Sequence, residues 1–213
     1  VRRSGSAHRC RTRAKVRAPE PNRSKCVAAL FACLFSFVGD VAAGAPQRIS
    51  IDWVPALGLS LGFYIDGLSL TFGLLITGIG ALIIVYSGAY LGGHPHRGRF
   101  LAFMLAFMGA MLGLVLADGF VSLFVFWELT SVTSFLLIGN RHAESRARAA
   151  ALHALLVTGA GGLAMLGGFV VLGQAAGTYR LSEILANPPP HSTALTGALV
   201  LILLGAFTKS AQY

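Results

Sequence analysis

Charged residues are scarce in this chain, and their scarcity limits the class of protein it can be. Only 12% of the 213 residues are charged, 55% are hydrophobic, and the mean hydropathy is +0.70. Soluble domains carry roughly 25% charged residues. The composition therefore argues against a soluble domain and predicts an integral membrane protein, and the 26 glycines fit membrane helices that pack closely.

Motifs for metals, cofactors and soluble catalysis are also missing. The three cysteines, Cys10, Cys26 and Cys33, show neither a CxxC pair nor metal-ligand spacing. P-loop, zinc, dinucleotide-binding and hydrolase motifs do not occur in the structural context that their chemistry requires. We therefore expect no cofactor, no metal site and no soluble catalytic centre.

Basic residues are concentrated at the N-terminus, where residues 1–26 form a tail ahead of a membrane domain at 27–213. Nine of the 17 lysines and arginines lie within residues 1–25. A cytoplasmic flank explains this charge, and a nucleic-acid-binding arm is disfavoured because no aromatic side chains are interleaved to stack on bases. The chain starts at Val1 and stops at Tyr213 inside an apolar run. We therefore expect an N-terminal fragment, whose tail is either cytoplasmic or an artefact of a wrong start.

Long apolar runs make up most of the remaining chain. A helix needs about 20 apolar residues to cross a hydrocarbon core of about 30 Å, and a lone strand would leave its backbone unpaired there. We predict an all-α polytopic membrane bundle of about six helices. Their expected positions are 27–45, 67–91, 100–117, 119–139, 151–173 and 194–213, the last cut short. The first segment has a rival interpretation as a signal peptide, which the long basic stretch before it disfavours.

Loop charge predicts the orientation of the bundle. With the N-terminus inside, the inner loops 92–99 and 140–150 hold five arginines, whereas the outer loops at 46–66, 118 and 174–193 hold only Arg48 and Arg180. Cytoplasmic loops carry the excess of Lys and Arg. We therefore predict a multi-pass protein of the cell inner membrane with a cytoplasmic N-terminal tail.

Glu128 is the most informative residue, because it lies near the middle of the segment 119–139. A charge at the centre of a membrane helix costs roughly 2.5–3.5 kcal/mol on insertion scales, so this side chain should face the bundle interior or water. A carboxyl group in that position is a candidate proton carrier. The alternative is a glutamate that only hydrogen-bonds a neighbouring helix.

Lys209 is a second charge, well inside the last apolar segment. A glutamate and a lysine that face each other across a bundle form a coupled pair, since moving a proton at one group changes the proton affinity of the other. Directed proton transfer requires such coupling. A lysine near a helix end can instead extend its ammonium group to the membrane interface.

Two further residues are candidates with a less specific signal. His153 lies near the start of the segment 151–173, and its titration range suits a proton relay, although an interfacial histidine explains it equally well. Asp66 begins the segment 67–91 on the predicted outer side. It either caps that helix or attracts cations to an entry site.

Several stretches of the sequence resemble the A-type subunits of the Mrp multisubunit sodium/proton antiporters. They are Asp66-Gly67-Leu68-Ser69-Leu70, Phe124-Val125-Phe126-Trp127-Glu128-Leu129-Thr130-Ser131, Leu155-Leu156-Val157-Thr158-Gly159-Ala160-Gly161-Gly162 and Leu203-Leu204-Gly205-Ala206-Phe207-Thr208-Lys209-Ser210-Ala211-Gln212. The resemblance covers about 50–213 and leaves out the basic tail. The wider superfamily includes the antiporter-like subunits of complex I and of membrane-bound hydrogenases.

The resemblance implies roles and partners. Members of this superfamily place a glutamate in one helix and a lysine in a later, broken helix, and Glu128 and Lys209 would take those roles. The chain would then be a transporter subunit rather than an enzyme, and part of a larger bundle. It would exchange Na+ or another monovalent cation for protons, with other membrane subunits and the lipid bilayer as partners and no nucleic acid. The alternative is a proton-translocating subunit in the membrane arm of a complex I-like NADH:quinone oxidoreductase or a membrane-bound hydrogenase.

Overall fold

The computed structural model describes residues 21–54, 59–91, 96–140 and 144–210, which form helices and one hairpin. The elements in chain order are α1 (Pro21–Ser36), α2 (Val38–Ala42), β1 (Gln47–Val54), β2 (Leu59–Ile65), α3 (Gly67–Tyr90), α4 (Arg97–Leu116), α5 (Phe120–Ile138), α6 (Ser145–Ala176), α7 (Leu181–Ala186) and α8 (Thr193–Lys209). Residues 1–20, which hold most of the predicted basic tail and Cys10, lie outside the described residues, as do 211–213 of the last predicted segment.

The described residues contain five helical stretches that are long and apolar enough to cross a membrane. They are Lys25–Ala42, α3, α4, α5 and α6. Large hydrophobic side chains are exposed along them, for example Leu82 on α3 and Leu163 on α6. The predicted helical membrane bundle is thereby confirmed. The sixth predicted segment, expected to be cut short, corresponds to α8, which has 17 residues and is about 25 Å long.

α6 is longer than the segment predicted for it. It begins at Ser145 rather than near 151 and has 32 residues, so its length is about 48 Å. It ends at Gly177, whose φ of +70° is the left-handed conformation that commonly terminates a helix. The inner loop expected at 140–150 is correspondingly shorter, because residues from Ser145 onward already belong to α6.

The stretch 46–66, expected to be an outer loop, contains a β-hairpin. β1 and β2 pair antiparallel, with Gln47 opposite Ile65 and Ile51 opposite Leu61. The backbone N–H and C=O groups of this stretch therefore pair with each other outside the helical bundle. A hairpin was not predicted for this stretch.

Helices that are neighbours in the chain pack side by side. α1 contacts α3, α3 contacts α4, α4 contacts α5, α5 contacts α6, and α6 contacts α8. The largest buried cluster joins α5, α6, α7 and α8, where the rings of Phe120 and Phe169 stack with centroids 4.6 Å apart. This cluster fixes the three helices that carry the candidate site.

Asp118, in the short turn between α4 and α5, ties three parts of the chain together. Its carboxylate is 3% exposed and accepts hydrogen bonds from the backbone N–H and the hydroxyl of Ser182, each 2.9 Å long. Nε of Arg48 on β1 lies 3.6 Å from Oδ2. The backbone N–H of Asp118 donates to the carbonyl of Gly62, and its carbonyl accepts from Leu181. The hairpin, the α4–α5 turn and the start of α7 therefore meet at one buried carboxylate.

Replacing this carboxylate should loosen that end of the bundle. We expect Asp118→Ala to lower the free energy of unfolding by about 1.5–3 kcal/mol, because hydrogen bonds to a buried charged group are lost. The measurement is the thermal denaturation midpoint of the purified complete protein. Asp40→Ala is the matched control, because Asp40 on α2 is exposed. Equal midpoints for the two variants would mean that the contacts of Asp118 add nothing to stability.

Candidate functional site

Glu128 lies in the middle of α5. It is about 12 Å along the axis from Phe120 at one end of the helix and about 15 Å from Ile138 at the other. Its side chain is half-buried, and its Oε1 atom is buried with no hydrogen-bond partner in the described part of the chain. Leaving a buried acceptor unsatisfied costs roughly 1–3 kcal/mol. Such a carboxyl group is poorly explained by folding alone, which makes it a candidate for function.

The ammonium group of Lys209, the last residue of α8, lies against α5 beside Glu128. Nζ donates to the hydroxyl of Thr130 at 2.6 Å, to the hydroxyl of Ser131 at 2.8 Å and to the carbonyl of Trp127 at 3.3 Å. Nζ also lies 5.2 Å from the centre of the Trp127 ring, within cation–π range. The partners of the lysine are therefore the residues that flank Glu128.

The two charges interact through space without forming a close ion pair. Within the described residues, hydroxyl and carbonyl oxygens accept the hydrogen bonds of Lys209, while Oε1 of Glu128 has no partner. The lysine and the glutamate nevertheless act on each other electrostatically. This geometry leaves the carboxyl group able to take or release a proton within the field of the ammonium group.

Two adjacent glycines on α6 make room for this arrangement. A Cβ atom at Gly162 would overlap Oε1 of Glu128, and one at Gly161 would overlap the hydroxyl of Thr208 on α8. On the facing helix, a Cβ atom at Gly205 would come within 2.6 Å of the carbonyl oxygen of Gly161. Small residues let membrane helices approach closely. The position of Glu128, and the close approach of α8 to α6, therefore depend on the absence of side chains at these glycines.

Asp66 does not contribute to this pair in the structure. Its Oδ1 atom accepts a hydrogen bond from the backbone N–H of Ser69, and the hydroxyl of Ser69 accepts one from the backbone N–H of Asp66, each 2.8 Å long. This reciprocal arrangement is a capping box at the start of α3. Capping accounts for the residue, and its part in cation entry stays a prediction.

His153 also lies apart from Glu128 and Lys209. It is exposed on α6, nine residues before Gly162. Nine residues make two and a half helical turns, which place His153 on the opposite side of α6 from Gly162 and about 13 Å along the axis. The structure thus does not bring His153 to the glutamate, and its relay role stays a prediction.

Models of known families match two parts of the chain. The model described as "NADH:quinone oxidoreductase/Mrp antiporter, TM" matches residues 117–213, which include Glu128 and Lys209. The model described as "NADH-Ubiquinone oxidoreductase (complex I), chain 5 N-terminus" matches residues 53–101.

Named relatives agree with these models. The A1 subunit of a Na(+)/H(+) antiporter from Staphylococcus haemolyticus is 43% identical over 185 residues, which are 86% of this chain and 23% of that protein. The chain belongs to the Mrp antiporter and complex I family. Within the family it is also similar to the A/B subunit of a probable K(+)/H(+) antiporter from Rhizobium meliloti, at 47% identity over 81% of this chain and 18% of that protein. The chain therefore spans about a fifth of the length of these relatives.

Two solved structures have a similar fold. The Mrp complex from a Dietzia strain superposes with a TM-score of 0.73 at 37% identity, covering 88% of this chain and 21% of that one. The membrane-bound sulfane sulfur reductase, an archaeal respiratory membrane complex, superposes with a TM-score of 0.69 at 22% identity, covering 87% and 29%. The second likeness shows the fold alone. The resemblance predicted from the sequence is confirmed.

Thr130, Ser131, Gly161 and Gly162 are site residues whose roles the sequence alone did not reveal. Thr130 and Ser131 closely follow the intramembrane acid Glu128. Two adjacent hydroxyl groups at such a place indicate that they accept hydrogen bonds from a cation. The two glycines stand together in the middle of a long helix, where glycine costs about 1 kcal/mol relative to alanine. That cost indicates a position where another helix must approach closely.

The hydroxyl of Thr130 should matter because it binds Lys209. Valine has nearly the same shape without the hydroxyl, so we expect Thr130→Val to weaken the binding of the ammonium group to α5 by about 1.5–3 kcal/mol. Cation/proton exchange by the complete protein should fall, as measured by initial rates in membrane vesicles. Thr133→Val is the matched control, because the hydroxyl of Thr133 bonds only to carbonyls of its own helix in the described structure.

A double-variant cycle separates this role from a general packing effect. In a Lys209→Met background, Thr130→Val should cause little further loss, since the two residues act as a unit. Equal effects of Thr130→Val with and without the lysine would contradict the assignment.

Proposed function

We propose that this chain is the part of a secondary antiporter subunit that carries a proton-exchanging pair. The subunit exchanges a monovalent cation, with Na+ as the first candidate, for protons across the cell inner membrane. One observation carries this proposal. The ammonium group of Lys209 is hydrogen-bonded to α5 beside Glu128, whose Oε1 atom is buried without a hydrogen-bond partner in the described residues. The names of the relatives support it, since they describe Na(+)/H(+) and K(+)/H(+) antiporter subunits.

In this mechanism Glu128 holds and releases the proton, and Lys209 acts on it through charge. A positive charge beside a carboxyl group favours its ionised form. When the ammonium group stays on Thr130 and Ser131, Glu128 releases its proton, and when the ammonium group leaves or is neutralised, Glu128 takes one up. Because the hydroxyls of α5 bind the ammonium group, it can leave without breaking a direct ion pair.

The surroundings of the chain follow from the same proposal. Exposed hydrophobic side chains on α3 and α6 face lipid or other membrane subunits of a hetero-oligomeric complex. The excess of arginines near the starts of α4 and α6 supports a cytoplasmic position for those ends and for the N-terminal tail.

The test uses the complete subunit, produced with its partner subunits in membrane vesicles that lack other antiporters. After a pH gradient is imposed, addition of NaCl should collapse it, and addition of choline chloride should not. A response to KCl instead would keep the antiporter and change its cation. No response to either cation, with flavin or iron–sulfur subunits in the purified complex, would overturn the proposal in favour of a redox-driven proton pump.

A further inference from the structure

A groove of about 400 Å³ lies at the end of the bundle where α4 and α6 begin and α5 ends. It is far from Glu128, which lies in the middle of α5. Residues from all three helices line it, among them Arg99, Phe103, Phe135, Leu136, Arg148 and Leu152. The groove thus combines two guanidinium groups with an apolar wall, and the proton pair does not account for that combination.

The guanidinium group of Arg99 is held at the mouth of the groove. Nη2 donates to the carbonyl of Asn140 at 2.9 Å, and Nε donates to its Oδ1 at 3.3 Å. These bonds join the first turn of α4 to the end of α5. Arg148 lines the same groove from α6 and is exposed. Two arginines from different helices therefore lie at one opening.

The groove changes from charged to apolar with depth along the helices. Arg99 and Arg148 lie in the first turns of α4 and α6. Phe103 and Leu152 each follow four residues later, about 6 Å deeper, on the same faces of these helices. Charged groups at the helix ends and apolar groups one turn further in match the boundary between lipid headgroups and acyl chains.

The electrostatics of this end favour an anion. In the described stretches 96–99 and 144–148 there are four arginines and one carboxylate, that of Glu144. The helix dipoles partly cancel here, because α4 and α6 begin at this end while α5 ends at it, so the arginines supply the excess positive charge. Arginine presents its N–H groups in a planar fork that fits phosphate oxygens.

We propose that this groove binds one anionic phospholipid. Its phosphodiester contacts Arg99 and Arg148, and an acyl chain lies along Phe103, Phe135 and Leu152. Basic pockets between membrane helices are a known setting for anionic headgroups. This site is separate from the proton pair and does not depend on the proposed antiport.

The test measures lipid retention by the complete purified complex. After delipidation in detergent, the complex is titrated with phosphatidylglycerol or phosphatidylcholine, and bound lipid is counted by native mass spectrometry. We expect Arg99→Gln/Arg148→Gln to weaken phosphatidylglycerol binding about 30-fold, the effect of two basic residues near a membrane surface. Arg97→Gln/Arg146→Gln is the matched control, because it removes the same charge from the same end outside the lining residues of the groove.

A second variant tests the groove without removing the hydrogen bonds that Arg99 makes to Asn140. Leu152→Trp fills the groove and keeps both arginines, so it should also lower phosphatidylglycerol retention. Unchanged retention in Leu152→Trp, or equal losses in the two double variants, would overturn the proposal. Retention of phosphatidylcholine equal to that of phosphatidylglycerol would also overturn it. So would inorganic phosphate alone, if it raised the thermal midpoint of the complex as much as phosphatidylglycerol does.

Discussion

Glu128→Gln should reduce cation/proton exchange steeply while leaving the fold intact. Glutamine has the shape of glutamate but cannot carry a proton, so the exchange rate of the complete protein should fall on the order of 100-fold, the lower range for a positioned proton-transfer group. Oε1 of Glu128 lacks a hydrogen-bond partner within the described residues, so folding does not rely on it. The hydrogen bonds of Lys209 go to hydroxyl and carbonyl oxygens of α5 and do not depend on this carboxyl group. The thermal midpoint should therefore stay nearly unchanged.

The matched control for this variant is Glu183→Gln. Glu183 on α7 pairs with Arg180, whose Nη1 lies 3.3 Å away, and the side chains of Arg180 and Glu183 are 37% and 42% exposed. We expect wild-type exchange from it, since exposed ion pairs contribute little. The assay is the initial rate of pH-gradient collapse after addition of the cation. Undiminished exchange in Glu128→Gln would exclude Glu128 as the proton carrier, whatever its position in the membrane.

A double variant tests whether Glu128 is coupled to Lys209. If the two groups act as a unit, Glu128→Gln combined with Lys209→Gln should lose no more activity than Glu128→Gln alone. If the activity losses of the two single variants multiply in the double variant, the lysine acts at another step of the transport cycle.

The sequence predicted the candidate pair but not the way in which it is held. Glu128 and Lys209 stand out because a charge inside an apolar run is costly, and that cost can be read without a structure. The oxygens that accept the hydrogen bonds of Lys209 come from a helix about 80 positions earlier in the chain, and only tertiary packing brings them together.

The hairpin was not predicted because its strands are short and weakly apolar beside the long helical runs. Residues 48–52 alternate polar and apolar side chains, the period-2 pattern of a strand, and Ile49 and Ile51 are exposed on one face. The burial of Asp118 could not be predicted either. Its partners Arg48 and Ser182 are 70 and 64 positions away, and a lone aspartate in a tight turn gives no sign of them.

Gly162→Ala should impair the protein even though alanine is the better helix former. A Cβ atom at this position would overlap Oε1 of Glu128, so the carboxyl group or α6 must move. Overpacking of this kind costs about 1–3 kcal/mol. Cation/proton exchange should fall steeply, because the carboxyl group no longer occupies its place beside Lys209.

Gly159→Ala, on the same helix, should have the opposite effect on stability. A Cβ atom there meets nothing within 4 Å, so the substitution gains about 0.8–1 kcal/mol of helix propensity without a clash. The two variants differ by three positions and by the same added methyl group. A difference in sign between their thermal midpoints therefore reports the contact with Glu128 rather than the nature of the substitution.

A compensating change identifies the clash itself as the cause. Aspartate is one methylene shorter than glutamate and keeps the proton-carrying group, so Gly162→Ala/Glu128→Asp should recover part of the stability and part of the exchange rate lost in Gly162→Ala. The comparison is made with Glu128→Asp alone, which carries the cost of the shorter acid. If the double variant is worse than both single variants, Gly162 serves the packing of α6 in another way, and the space it leaves is not what positions Glu128.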